Sequence, residues 1–275
     1  MAKALLVALW LITLVCLCLF WFHPWWLPAL ASVQGAAVDR QFKLTFILVG
    51  GAFLLGQAAL GFLVWKYSAS RNQIPCRPFA ENKRAEFFWT VLTSLLFLAF
   101  AWTGARSWSQ SHTLHTDTDA KMPVDIEVTG MQFAWYFRYP GPDRTFGRTR
   151  PELQDASLGS ASAVGLDMSD PASRDDFVTT TLVVPANRNV RLTLRAQDVI
   201  HSFFVPELRF KQDAVPGMAI PVIFTPNREG SFEIVCAALC GLGHYRMRAT
   251  MKVVSETEFD NWLAKHAPQP TGVHP

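Results

Sequence analysis

The sequence predicts N-terminal transmembrane helices followed by a single all-β domain of the Greek-key barrel type. Three observations carry this expectation. Residues 4–22, 44–65 and 87–102 (extendable to 105) are uncharged apolar runs, each near the ~20 residues a helix needs to cross a bilayer, and nothing after Arg106 could span one. Beyond residue 124 the chain breaks into short alternating segments punctuated by Pro and Gly. A cluster of Cys, His and Met lies just before the last of those segments, where a loop at one end of a barrel would fall.

The elements follow in order. Lys3, the first apolar run and Ala29-Leu30-Ala31 have the layout of a secretory signal. Nineteen apolar residues are long for a signal core, however, and His23-Pro24-Trp25-Trp26 has the composition of an interfacial aromatic belt. Residues 1–35 therefore read as an uncleaved extra helix in preference to a signal peptide, with Cys16 and Cys18 as small apolar members. Residues 36–110 read as a two-helix anchor. Its connecting loop carries Lys66, Arg71, Arg77, Lys83 and Arg84 against Glu81 and Glu86, an excess that marks the cytoplasmic side and puts the following domain outside. The chain's net charge of +3 resides largely in this loop and gives no case for nucleic acid.

Residues 111–267 form the soluble domain. Strands are expected over 125–130, 177–184, 190–194, 220–224, 231–236 and 248–254, with Pro185-Ala-Asn-Arg-Asn as a turn. Residues 140–176 are rich in Gly, Ser, Asp and Pro and read as an insertion, too long for an unsupported loop. Ser255 and Glu258 make a capping box opening a helix through Lys265, and 268–275 read as a flexible tail.

The chemistry is concentrated in Cys236-Ala-Ala-Leu-Cys240-Gly-Leu-Gly-His244-Tyr-Arg-Met247, with His201 upstream. Two cysteines four apart could form a disulfide, and two Cys with two His could hold zinc. A disulfide leaves both histidines unexplained, and zinc leaves the methionine unexplained. Thiolate, imidazole and thioether together suit copper, and a second thiolate allows two coppers to be bridged. There is no Cys-x-x-Cys-His haem-attachment motif.

With these residues in this order, the chain from about residue 44 to the final helix resembles subunit II of the haem-copper cytochrome c oxidases. That resemblance implies a cupredoxin fold and the binuclear copper centre called CuA. Cys236 and Cys240 would bridge the metals, His201 and His244 would each bind one, Met247 would be a weak axial ligand, and Ala238 would offer its backbone carbonyl. The family usually carries a glutamate at the Ala238 position, which reaches a magnesium ion. Copper is therefore expected here and magnesium is not. The resemblance also implies a bacterial cytoplasmic membrane location with the copper domain on the periplasmic side. Electrons would come from cytochrome c or a c-type haem domain and pass to haem in subunit I, where oxygen is reduced and protons are pumped.

Other family positions depart or match in part. In Gln132-Phe133-Ala134-Trp135, Phe133 stands where relatives place the tryptophan at which electrons enter, and Trp135 is retained two residues on. Glu86-Phe-Phe-Trp89-Thr90 resembles the start of the family's second helix, whose glutamate stands at a proton-path mouth; a carboxylate there also suits the helix dipole alone. Thr93 replaces a common proline. Asp198 is a candidate to orient His201, and Asp213 matches a motif near the subunit I interface. His112, His115, His266 and His274 read as solvent-facing. Arg209, Arg246 and Arg248 are candidates for ion pairs with haem propionates, and the insertion's Asp167, Asp170, Asp175 and Asp176 for a cytochrome-docking patch.

Two other functions fit parts of this pattern. A nitric oxide reductase subunit would carry the same copper centre. A membrane-anchored copper chaperone is disfavoured because Gly241, not Pro, follows the second cysteine and His244 is only four residues on.

Overall fold

The fold is taken from a computed structural model, which describes residues 2–22, 27–67, 81–112 and 122–267. The aromatic cluster 23–26, the basic residues Arg71 and Arg77, His115, His274 and the tail 268–275 lie outside the described residues, as does the side chain of His112. Contacts divide the chain into two units.

The first unit holds the apolar helices α1 (Ala2–Trp21), α2 (Gly35–Lys66) and α3 (Lys83–His112). All three are long and apolar enough to cross a membrane, and their apolar side chains are almost entirely uncovered. That surface is what lipid would bury. At the start of α3 the Asn82 side chain accepts from the Ala85 N–H, and Glu86 lies in the first turn. Thr93 donates its hydroxyl to the Trp89 carbonyl at 2.8 Å, satisfying itself within the helix.

The second unit comprises Pro28–Ala36 and everything from Gln110 onward. Its strands are β1 (Val124–Met131), β2 (Ala134–Tyr139), β3 (Phe177–Thr179), β4 (Thr181–Pro185), β5 (Val190–Ala196), β6 (His201–Val205), β7 (Phe210–Ala214), β8 (Ile220–Phe224), β9 (Gly230–Cys236) and β10 (Arg248–Val254). They form two five-stranded sheets, ordered β3-β2-β1-β5-β8 and β4-β10-β9-β6-β7. Each is mixed: β1 runs parallel to β5 and β10 parallel to β4, while the other pairs are antiparallel.

Both sheets are open at their edges, so the closed barrel expected from the sequence is corrected to two facing sheets. The predicted strand 177–184 is in fact two, because the chain leaves one sheet and joins the other at Thr180. Strict alternation along β1 sends Ile126 and Val128 inward, where they join Leu182, Leu192, Phe203 and Ile234 in one core.

Tyr139 ties the sheets together. Its buried hydroxyl donates to the Val183 carbonyl at 2.8 Å and accepts from the Val183 N–H at 2.7 Å. Burial pushes this phenol far above its usual range, so it stays a neutral donor. Tyr139→Phe would strand both peptide groups and should cost about 2 kcal/mol, read as a lower urea midpoint of this unit.

Pro28–Ala36 is a strap on the same unit. Ala31 is fully buried; its N–H donates to the Glu207 carbonyl and its carbonyl accepts from the Asn227 N–H. Gln34 bonds Thr225 through both ends of its amide, and Arg209 donates to the Pro28 carbonyl at 2.6 Å.

The insertion is folded and not a loose loop. It contains three single 3-10 turns and one α-turn, α4 (Ser160–Ala163), and buries Ala163, Val164 and Leu166. Two of its acids, Asp167 and Asp176, are buried. Asp167 pairs with Arg150 at 2.8 Å, Asp170 accepts the Arg148 N–H, Asp175 accepts the Asp143 N–H, and Asp176 is buried against Arg138. These four carboxylates hold the insertion together. The capping serine behaves as expected: Ser255 accepts from the Glu258 N–H and opens α5 (Glu256–His266).

Candidate metal centre

The predicted donors converge at one end of the two sheets. Cys236 closes β9 and His201 opens β6, neighbouring strands of one sheet, so backbone pairing alone brings thiol and imidazole together. Cys236 Sγ lies 4.0 Å from His201 Nδ1, 3.2 Å from the Ala238 carbonyl oxygen and 3.9 Å from Cys240 Sγ. Cys240 Sγ lies 3.7 Å from His244 Nδ1 and 3.8 Å from Met247 Sδ. All six donor atoms named from the sequence are therefore linked around two sulfurs, and the cysteines are free thiols, not a disulfide.

Backbone bonds shape the loop. The Cys236 N–H donates to the Met247 carbonyl, closing the loop's two ends on each other, and the Ala237 N–H donates to the Ser202 carbonyl, tying the loop's start to β6. Gly241 has φ +136°, a region that side chains rarely adopt. Gly243 packs so closely on the Phe133 ring that any side chain there would collide with it.

The surroundings favour bound metal over free ions. Burial raises the Cys240 thiol to about 11, and the neighbouring Cys236 adds to the shift, so the bare Cys240 thiol stays protonated. Copper would replace that proton with its own positive charge. His201 Nε2 sits 2.7 Å from Asp198 Oδ1, which leaves Nδ1 facing the sulfurs. Burial opposes ionisation of Asp198. The His201 ring and the N–H groups of Gln132 and Val199 outweigh that burial and hold the carboxyl below its usual range. The expected orienting role of Asp198 is thus visible in the geometry.

Sequence reading missed two supports. Gln132 donates its side-chain N–H to the Cys240 carbonyl at 2.5 Å, and the Ser202 hydroxyl donates to Asp213 at 2.6 Å. Gln132 adjoined a singled-out residue, Phe133, but nothing local signalled its reach of 108 positions along the chain.

The remaining candidates lie apart from the sulfurs or behind them. Trp135 is 1% exposed and meets the His201 ring edge-on at 5.9 Å, so it packs beneath that ring. Phe133 is the accessible member of the pair, 37% exposed. Glu86 belongs to the helical unit. Arg209 serves the strap, and Arg248 pairs with Glu233 at 2.8 Å. Arg246 is exposed and has no ion-pair partner among the described residues. His266 stacks on Trp262 and Phe177.

Fold and site together define a membrane-anchored electron-transfer protein with a thiolate-imidazole copper centre outside the cytoplasm. The family description "Cytochrome C oxidase subunit II, periplasmic domain" matches residues 124–254. The chain is 33% identical over 245 residues to the alternative cytochrome c oxidase subunit 2 of Bradyrhizobium diazoefficiens, covering 88% of this chain and 84% of that one. It is 32% identical over 215 residues to cytochrome c oxidase subunit 2 of Cereibacter sphaeroides, covering 74% and 67%. Among solved structures, the periplasmic domain of subunit II of cytochrome oxidase of Bradyrhizobium japonicum aligns at 29% identity, covering 53% of this chain and 94% of that one, with a TM-score of 0.39. The chain belongs to the cytochrome c oxidase subunit II family. It is a CuA-type electron-transfer subunit of a haem-copper oxidase, feeding subunit I.

Proposed function

We propose that Cys236, Cys240, His201 and His244 would hold two coppers, with Met247 and the Ala238 carbonyl as the further donors. The gathering of all six donor atoms around two sulfurs supports this reading. Bound there, the copper pair supplies a one-electron reservoir. The chain's own part is to keep the donors still. Gln132 fixes the cysteine loop, Asp198 fixes the His201 ring, and Trp135 packs beneath that ring. Ligands that hardly move between redox states add little to the cost of transfer. Cytochrome c or a c-type haem domain delivers the electron and haem in subunit I receives it for oxygen reduction coupled to proton pumping. The β unit belongs to the cupredoxin type, and Phe133 lies on the donor's route. Glu86, in the first turn of α3, stands at the mouth of a proton path.

The chain is organised as an extra first helix (1–35), a two-helix anchor (36–110), the copper domain with its insertion (111–267) and a tail (268–275). In this reading the first helix is retained, which the burial of Ala31 at the end of Ala29-Leu30-Ala31 supports.

The test is to purify the full chain in detergent, load copper, and record native mass and electron paramagnetic resonance. Two coppers on an unprocessed chain, with a seven-line hyperfine pattern from one electron shared by both nuclei, are expected. One copper, or the four-line pattern of a single copper, would refute the site.

A further inference from the structure

His201 is delivered by a very short connection. β5 ends at Ala196 in one sheet and β6 opens at His201 in the other, so residues 197–200 carry the chain across between sheets. Val199 and Ile200 are both exposed and give this crossing no core of its own. What holds it in place is bonded to it from elsewhere.

Those bonds come from two directions. At the end of β1, the Gly130 carbonyl accepts the Gln197 N–H at 3.0 Å, and the Gln132 N–H donates to Asp198 at 2.7 Å. The His201 ring also rests on Gly130, where a β-carbon would lie 3.1 Å from the imidazole and 2.8 Å from Trp135. The other direction is the insertion. The Gln197 side-chain N–H donates to Gln154 Oε1 at 2.6 Å. Gln197 Oε1 is buried with no hydrogen-bond partner among the described residues, so its amide is gripped through the Gln154 bond. Gln154 is itself seated: its N–H donates to the Pro151 carbonyl at 3.1 Å, and Gly165, at φ +68°, packs closely on its side chain.

Resting on the copper reading proposed above, we infer that the insertion is a positioning element of the metal centre and that Gln154 is its point of action. Gln154 holds Gln197, Gln197 fixes the start of the crossing, and the crossing sets how squarely Asp198 meets His201 Nε2. A carboxylate on the far nitrogen of a ligating imidazole makes the ring a stronger donor. A stronger donor favours the more positive, oxidised copper, so this bond would hold the centre's electron affinity down. Loosening it should raise that affinity.

The experiment loads the full chain with copper in detergent and titrates it against a redox mediator, following the paramagnetic resonance signal. The unsubstituted chain is compared with Gln154→Ala, Gln197→Ala, the double variant and Ser160→Ala. Ser160 is the control within the insertion, since its hydroxyl bonds the Val178 carbonyl at 2.9 Å instead. Each glutamine variant is expected to shift the mediator equilibrium about three-fold toward reduced copper, below the ~10–100-fold of a direct support to a ligand. That is about 30 mV at ~59 mV per tenfold for one electron. The double variant should shift it no further than either single one, because partners in one bond do not add. Ser160→Ala should leave it unchanged. No shift in the single variants would overturn the inference. So would additive shifts in the double variant, or an equal shift in Ser160→Ala, which would mean general loosening. Gln197→Ala carries the test by itself if Gln154→Ala does not fold. An unsubstituted chain without the two-copper signal would instead refute the copper reading, a failure seen before any variant is made.

Discussion

Cys240→Ser is expected to abolish the two-copper centre and, with it, electron delivery by the assembled oxidase. Cys240 Sγ touches three other donors: Cys236 Sγ, His244 Nδ1 and Met247 Sδ. A serine hydroxyl is a hard, poorly ionised donor and a poor substitute for a bridging thiolate toward copper. Packing should survive, since serine is smaller than cysteine and the loop is anchored by backbone bonds on both sides. The fall in rate should exceed the ~10–100-fold that removal of a supporting hydrogen bond to a metal ligand produces. Asp198→Asn supplies that comparison, because it loosens the hold on His201, and with it the Gln132 and Val199 N–H bonds, without removing a sulfur. Copper content, the optical bands and turnover with cytochrome c are the measurements. A Cys240→Ser protein that kept two coppers and near-normal turnover would remove the cysteine pair from the function.

The contrast between what the sequence declared and what it concealed follows from the range of the interactions. The ligand loop was legible because four of its donors fall within twelve residues and their chemistry is unusual. β8 and β10 were found at their true bounds, since each is an apolar or alternating run between clear breakers. β7 was missed because Phe-Lys-Gln-Asp-Ala sits on a sheet edge, where solvent takes one side and the alternation is weak. The break at Thr180 was invisible for a different reason. Which sheet a strand joins depends on partners far along the chain, such as Thr250 opposite Thr181. Trp135 shows the limit for function: alternation marks a half-buried strand but cannot say which face covers His201.

The insertion's acids show the same limit from the other side. Read as composition they resemble a surface patch, yet one of them, Asp176, lies buried against an arginine. Arg138 on β2 bonds Glu127 at 2.8 Å, the Gly147 carbonyl at 2.5 Å and Asp176, while Asp176 also accepts the Gly147 N–H at 2.9 Å. The guanidinium therefore joins β1, β2 and both ends of the insertion, and Phe146 lies across its face. Burial, with a smaller push from Asp175, raises the Asp176 carboxyl, and the arginine works against that push. Arg138→Ala would leave the Asp176 carboxylate in a dry site without its cation, while Glu127 keeps Arg195 at 3.3 Å, and should cost about 3–5 kcal/mol. Lysine should not rescue it, because one ammonium cannot reach three acceptors set around a planar fork. The expected readouts are a large drop in the unfolding midpoint and rapid proteolytic cutting within residues 140–176. The copper bands should shift as well, since Gln154 of the insertion bonds Gln197, the neighbour of Asp198 that orients His201. A loss of under about 1 kcal/mol, the range of an exposed ion pair, would mean that this arginine is dispensable and that hydrophobic burial alone holds the insertion.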